Sequence, residues 1–132
     1  MMKIPALLGL AVLAGSCTAY DEPNVPPETQ AGLARALEGR VAGPPVPCVA
    51  LRRLGGNRTV GDAIVFGGDG RRIWVNRPAG GCPSLDFGRT LVLNNVTGQV
   101  CRGDIATVVD LASGGEHGGC GLGDFIPYDR AR

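Results

Sequence analysis

The chain reads as a mainly β protein: a small antiparallel meander, closed or nearly closed into a barrel or sandwich of about six short strands. It is expected to be disulfide-stapled and preceded by a short N-terminal helix. Three observations predict this class. From residue 48 onward, short runs rich in β-branched residues alternate with Gly, Asn, Asp and Pro, and no long helical pattern separates them. Glycine is abundant, at 22 of 132 residues, which suits a turn-rich domain with a modest core. Four of the five cysteines fall in the same region, where so small a domain cannot build a deep core and disulfides are the expected staple. No internal repeat is visible.

The first element, residues 1–17, is an address rather than part of the fold. Lys3 precedes an apolar run at 4–13, broken only by Pro5 and Gly9, and small residues follow. That order of charge, apolar run and small residues is a secretory signal. A membrane-spanning helix needs about 20 apolar residues, more than this run supplies. Ala14-Gly15-Ser16-Cys17 resembles a bacterial lipobox, with Ala14 where Leu is usual. The resemblance implies that Cys17 is lipidated and becomes the new N-terminus. Thr18, rather than Asp, after Cys17 then implies the periplasmic side of the outer membrane. Ordinary cleavage, for example after Ala19, would instead discard Cys17 and leave a soluble periplasmic protein. Both routes leave an even four cysteines.

Residues 18–47 read as a tether. Pro23, Pro26, Pro27, Pro44, Pro45 and Pro47 favour extended backbone. Between the proline groups, Leu33, Leu37 and Val41 recur at a spacing of four, predicting a short amphipathic helix that starts near Pro27 and ends near Gly39 or Gly43. Its polar face carries only Arg35 and Arg40, too few for a membrane-surface helix.

The β domain spans residues 48–132. Strands are expected at 48–54, 63–66, 72–76, 90–94, at 100–102 running on through 105–111, and at 120–127. "GGDG" at 67–70 and "NNVTGQ" at 94–99 read as hairpin turns, because Gly, Asn and Asp tolerate positive φ. "ASGGEHGG" at 112–119 is too glycine-rich for regular structure and reads as a mobile loop. Lys3 is the only lysine, and twelve Arg balance twelve Asp plus Glu. Near-zero net charge gives no support for nucleic-acid binding or for attachment to an anionic surface.

Cys48, Cys82, Cys101 and Cys120 allow three disulfide pairings, and spacing alone does not choose among them. No two lie two to four residues apart, as paired zinc ligands usually do. "GGCPSLDFG" at 80–88 resembles a motif of a family of small exported bacterial proteins known only as a domain of unknown function. The resemblance runs over roughly residues 41–129. It includes Gly43, Pro44 and Val46 at the entry, Cys82, Pro83, Leu85, Asp86 and Phe87 in the centre, and Asp104 with Ile105. Cys120, Leu122, Ile126, Pro127 and Asp129 match its closing strand. It implies that Cys82 pairs with Cys120, leaving Cys48 and Cys101 as a second pair, and it carries no activity.

Catalytic candidates are weak by composition. His117, the only histidine, sits in a glycine-rich setting that would hold a catalytic group poorly. Asp86, Asp104, Asp110, Glu116 and Asp124 could supply an acid–base pair, but Asp86 and Asp104 lie beside turns, where Asp bonds its own backbone. One of those two is also a candidate partner for Arg89 or Arg102. "GCGLG" at 119–123 lacks the following helix that phosphate binding needs, and "GGDG" has too few carboxylates for calcium. Asn95-Val96-Thr97 matches a glycosylation sequon of little weight in a bacterial setting.

Strand alternation places Trp74 opposite Ile73 and Val75, so Trp74 is either core or, if its neighbours are buried, an exposed contact. Arg52-Arg53 and Arg71-Arg72, with Arg58 and Arg77, would form a basic face on the first three strands. The candidate contact face is therefore Trp74, Arg52, Arg71 and Arg77. The expected protein is non-enzymatic, without cofactor or metal. It is an envelope lipoprotein with a binding or structural role, meeting an envelope protein or glycan and touching membrane only through its lipid. The alternative is an inhibitor of a hydrolase that presents the disulfide-braced loop at 77–85.

Overall fold

The computed structural model describes residues 27–67, 70–85 and 88–132. The signal segment with Cys17, the first part of the tether, Gly68-Asp69 of the first turn, and Asp86-Phe87 lie outside the described residues. In chain order the elements are α1 (Pro27–Ala36), β1 (Arg40–Ala42), β2 (Cys48–Ala50), a 3₁₀ turn (Leu51–Arg53), β3 (Asn57–Val60), β4 (Ala63–Phe66) and β5 (Arg72–Asn76). A second 3₁₀ turn (Pro83–Leu85), β6 (Arg89–Val92), β7 (Gln99–Cys101), β8 (Ile105–Asp110), β9 (Glu116–Gly121) and β10 (Phe125–Arg130) follow.

The strands form three antiparallel sheets: β1-β10-β5-β4-β3, β6-β8-β9, and the ribbon β2-β7. The mainly β, antiparallel, disulfide-stapled class is the one the sequence predicts. Of the two closures, the chain takes the sandwich-like one; its sheets do not close into a barrel. Ten strands are described rather than six, because two expected runs are each divided in two and two strands, β1 and β3, were not expected.

Two apolar clusters explain the layering. Ile64, Phe66, Trp74 and Phe125 cluster with Val49, Leu91, Val100, Ala106 and Val108 of the smaller sheets and with Leu54 after the first 3₁₀ turn. Ala63, Val65, Ile73 and Val75 face the other way and are covered by Leu33 and Leu37. The central strands β4 and β5 are thus buried on both sides, which is why "AIVF" and "IWV" are continuous apolar runs rather than alternating ones. Buried leucines and phenylalanines of this kind contribute about 1.5–3 kcal/mol each relative to exposure.

Two asparagine amides stand in for backbone peptides. Asn57 on edge strand β3 receives the Leu91 N–H at 3.1 Å and donates to the Leu91 carbonyl at 3.3 Å, joining the five-stranded sheet to β6. Asn76, fully buried, receives the Gly123 N–H at 2.9 Å and donates to the Gly123 carbonyl at 2.8 Å. Gly123 is required there: a Cβ would lie 2.6 Å from the Arg77 carbonyl oxygen.

Several sequence expectations are corrected. The helix stops at Ala36, because Gly39 adopts φ 72° and turns the chain into β1, so Val41 lies on a strand and is exposed. Residues 27–47 pack on the β domain: β1 pairs with β10, and Val46 bridges Phe125. The run 48–54 is strand only to Ala50, after which Leu51–Arg53 turns and buries Leu54.

The run 100–111 is broken because the Asp104 carboxylate takes the Cys101 N–H at 2.8 Å and Gly103 adopts φ 90°, moving the chain from the ribbon to the β8 sheet. "NNVTGQ" is a turn, with Asn95 accepting from Thr97, but not a hairpin, since β6 pairs with β8 and β7 with β2. The "GGEHGG" segment is not a mobile loop: Glu116–Gly121 pairs with β8. Its glycines make room for Ile105, whose Cγ2 would lie 2.8 Å from a Cβ at Gly119. The final run is likewise divided, β9 ending at Gly121 and β10 beginning at Phe125.

Two disulfides staple the layers. Cys48–Cys101 crosses the β2-β7 ribbon between directly opposed residues with Cα atoms 4.0 Å apart. Cys82–Cys120 ties the segment before β6 to β9, with Cα atoms 5.6 Å apart. These are the pairs that the family resemblance implies. Two such bonds suit an oxidising, exported environment.

Candidate functional site

The contact face expected at Trp74, Arg52, Arg71 and Arg77 does not exist as one surface. Trp74 is 5% exposed, and Ile73 and Val75 are buried as well, because both sides of β5 are covered. Arg71 and Arg77 flank opposite ends of β5, so roughly 20 Å of strand separates them. Arg77 turns to Asp62, 3.8 Å away. Arg52 and Arg53 sit on the first 3₁₀ turn and are exposed. Arg53 shares with Arg72 and Trp74 a shallow groove of about 460 Å³.

The structure instead gathers arginines at one end of the five-stranded sheet, from strands distant in sequence. Arg40 on β1 is the register partner of Arg130 on β10. The Arg130 N–H in turn bonds the Arg71 carbonyl at 3.1 Å. One residue inward, Val41, Asp129 and Arg72 form the next row. Arg71, Arg72, Asp129, Arg130 and Arg132 line a notch of about 290 Å³.

Hydrogen bonds hold this end in place. Arg40 donates to the Gly70 carbonyl at 2.9 Å and to the Arg71 carbonyl at 3.2 Å, pinning the entry to β5. Arg72 grips Asp129 with two bonds of 2.6 Å, and its guanidinium lies 5.5 Å from the Trp74 ring centroid. The hydrogen bond from Arg72 holds the Asp129 carboxyl below its ordinary range, and the charges of Arg72, Arg71 and Arg40 add to this. The same bond raises Arg72. Asp129 is therefore ionised at neutral pH, and five guanidinium groups surround this single described carboxylate. Their excess positive charge gives this end a field that attracts anions.

The other expected residues are dispersed. Asp104 caps a turn; Asp110 closes another by accepting the Ala112 and Ser113 N–H groups at 2.8 and 3.0 Å; Asp124 pairs with Arg102 at 3.1 Å. Arg102 thus pairs with Asp124 rather than with Asp104, Arg89 donates to the Ser84 carbonyl at 3.0 Å, and the expected pairing through Asp86 lies outside the described residues. The Ser113 N–H, then the Ala112 N–H, lower Asp110, with a smaller contribution from His117. His117 and Glu116 are exposed on β9, and Asp86 lies outside the described residues. Among the described residues no three His, Cys, Asp or Glu side chains group as metal ligands. In the loop at 77–85, Pro78, Cys82 and Leu85 are buried, and Arg77, Ala79 and Gly80 are its exposed described residues.

Arg40, Arg130 and Arg132 are the residues that sequence reasoning missed. No local pattern joins them to Arg71; only the β1-β10-β5 register does. No family model matches the chain, and no curated protein or solved structure matches it either.

Proposed function

We propose that this chain is an exported cell-envelope protein, lipid-anchored through Cys17, whose β domain binds an acidic envelope partner, a protein or a glycan, at the arginine-lined end of its larger sheet. The observation that carries the reading is the gathering of Arg40, Arg71, Arg72, Arg130 and Arg132 around Asp129. Bidentate guanidinium forks suit carboxylate and phosphate recognition. The disulfides support an exported setting, and the signal-like segment at 1–17 supports the same address. The resemblance of "GGCPSLDFG" to small exported bacterial proteins agrees with it. On this reading the domain works by binding rather than by catalysis, and the membrane is reached only through the lipid.

The test is capture from envelope extract by the oxidised mature protein, beside a variant carrying Arg71→Glu and Arg132→Glu. The proposal expects a partner that wild type retains, that the variant loses, and that moderate salt releases. Identical capture by both proteins would count against it. Intact mass of the mature chain tests the anchor, since lipid on Cys17 and cleavage after Ala19 give different masses.

A further inference from the structure

Resting on that reading of the arginine end as the docking face, we infer that the notch between Arg71, Arg72, Arg130 and Arg132 is a site for a phosphomonoester group carried on a sugar. Size is the first argument. At about 290 Å³ the notch stands at the small end of ligand sites, and it accepts one compact group rather than a protein loop.

Charge is the second. Asp129 already occupies the fork of Arg72 through two bonds of 2.6 Å. Asp129 matches Arg72 and Arg130 has a partner of its own, so among the described lining residues Arg71 and Arg132 leave two positive charges. A single further carboxylate would neutralise only one of them. A phosphate carries up to two charges and three acceptor oxygens, so it can meet guanidinium groups from β5 and from the end of β10 together.

Preorganisation is the third. Arg40 holds the Gly70 and Arg71 carbonyls, the β5-β10 ladder fixes Arg71 beside Arg130, and Asp129 holds Arg72. Less ordering cost therefore falls on binding. Arg71 and Arg132 are the exposed members that remain for the ligand to organise.

The experiment is a set of titrations of the oxidised full chain, followed by NMR or calorimetry, with inorganic phosphate, glucose 1-phosphate, glycerol 3-phosphate and acetate. Saturable binding of phosphate and of at least one ester, with acetate at least about tenfold weaker, is expected. Glucose 1-phosphate should bind at least as tightly as glycerol 3-phosphate; a clear preference for glycerol 3-phosphate would point to a lipid headgroup and overturn the sugar assignment. Arg132→Glu, which lies beyond the last strand and leaves the sheet intact, should weaken phosphate at least about tenfold. Arg71→Glu should do the same with an unchanged melting temperature, and Arg52→Glu should have no effect. Acetate binding as well as phosphate, or no loss in Arg132→Glu, would overturn the inference. If an envelope partner is captured through Arg71 but no phosphate compound binds, the docking face stands and the phosphate site falls. If neither occurs, both fall.

Discussion

Asn76 offers the sharpest test of how the two halves of the sandwich are joined. Among the described residues it is the one fully buried polar side chain, and both ends of its amide are bonded to the Gly123 backbone. Asn76→Ala removes two hydrogen bonds, each with a net value of about 1 kcal/mol, and leaves the part-buried Gly123 groups short of partners. The small void adds roughly 1 kcal/mol, so the expected loss is about 3 kcal/mol. For a domain of this size that lowers Tm by about 12–24 °C.

Asn76→Asp separates the hydrogen bonds from the packing. A carboxylate there keeps the bond from the Gly123 N–H but faces the Gly123 carbonyl without a proton. Burial and that carbonyl raise the folded-state pKa above the unfolded value, so the stability is present below about pH 4 and lost as pH rises through the folded pKa. The Asp variant should therefore approach wild type as pH falls, while the Ala variant should not. Urea denaturation with the disulfides intact, at several pH values, reads both. A loss under about 1 kcal/mol for Asn76→Ala, or an Asp variant whose deficit does not shrink in acid, would refute the reasoning.

Other outcomes follow from the same structure. Asp110 is lowered by the Ser113 and Ala112 N–H groups and Asp129 by Arg72, so each stabilises the fold above the ordinary Asp pKa of about 4 and loses that contribution as pH falls through its lower folded value. Asp110→Asn should flatten the acid limb of a stability–pH profile. Graded reduction with quantitative alkylation should open Cys48–Cys101 first, because both its cysteines are partly exposed whereas Cys82 and Cys120 are 5% and 6% exposed. In the loop-entropy treatment, removing either bridge, with separations of 53 and 38 residues, costs about 4 kcal/mol, so complete reduction should lower Tm strongly. Leu33→Ala should cost about 2–3 kcal/mol in thermal unfolding, since Leu33 covers Val65 and Val75; no change would mean that α1 does not belong to the cooperative unit.

The legible parts of the fold are those set by nearby residues. Ala63–Phe66 and Arg72–Asn76 are where the β-branched runs place them, and the turn between them joins paired strands. The expected helix forms around Leu33, but its third repeat, Val41, belongs to β1, because partnering β10 outweighs a weak helical pattern interrupted by Gly39. β9 was illegible for a related reason. Glycine has low strand propensity by itself, yet Gly119 is favoured where Ile105 must lie across it. Trp74 posed an either–or that assumes one covered face, and the structure covers both.

By itself, then, the sequence determined the class: a turn-rich, antiparallel β domain that needs disulfides, behind a segment that reads as an export signal. These follow from composition, alternation and chain length, which act locally or in sum. Only the tertiary structure decided which arginines are neighbours. Arg40 and Arg130 stand 90 residues apart in the chain and directly opposite each other in the sheet, with Arg71 at the entry to the next strand. That proximity comes from strand register, and register is set by matching hydrophobic faces and backbone ladders across the whole sheet.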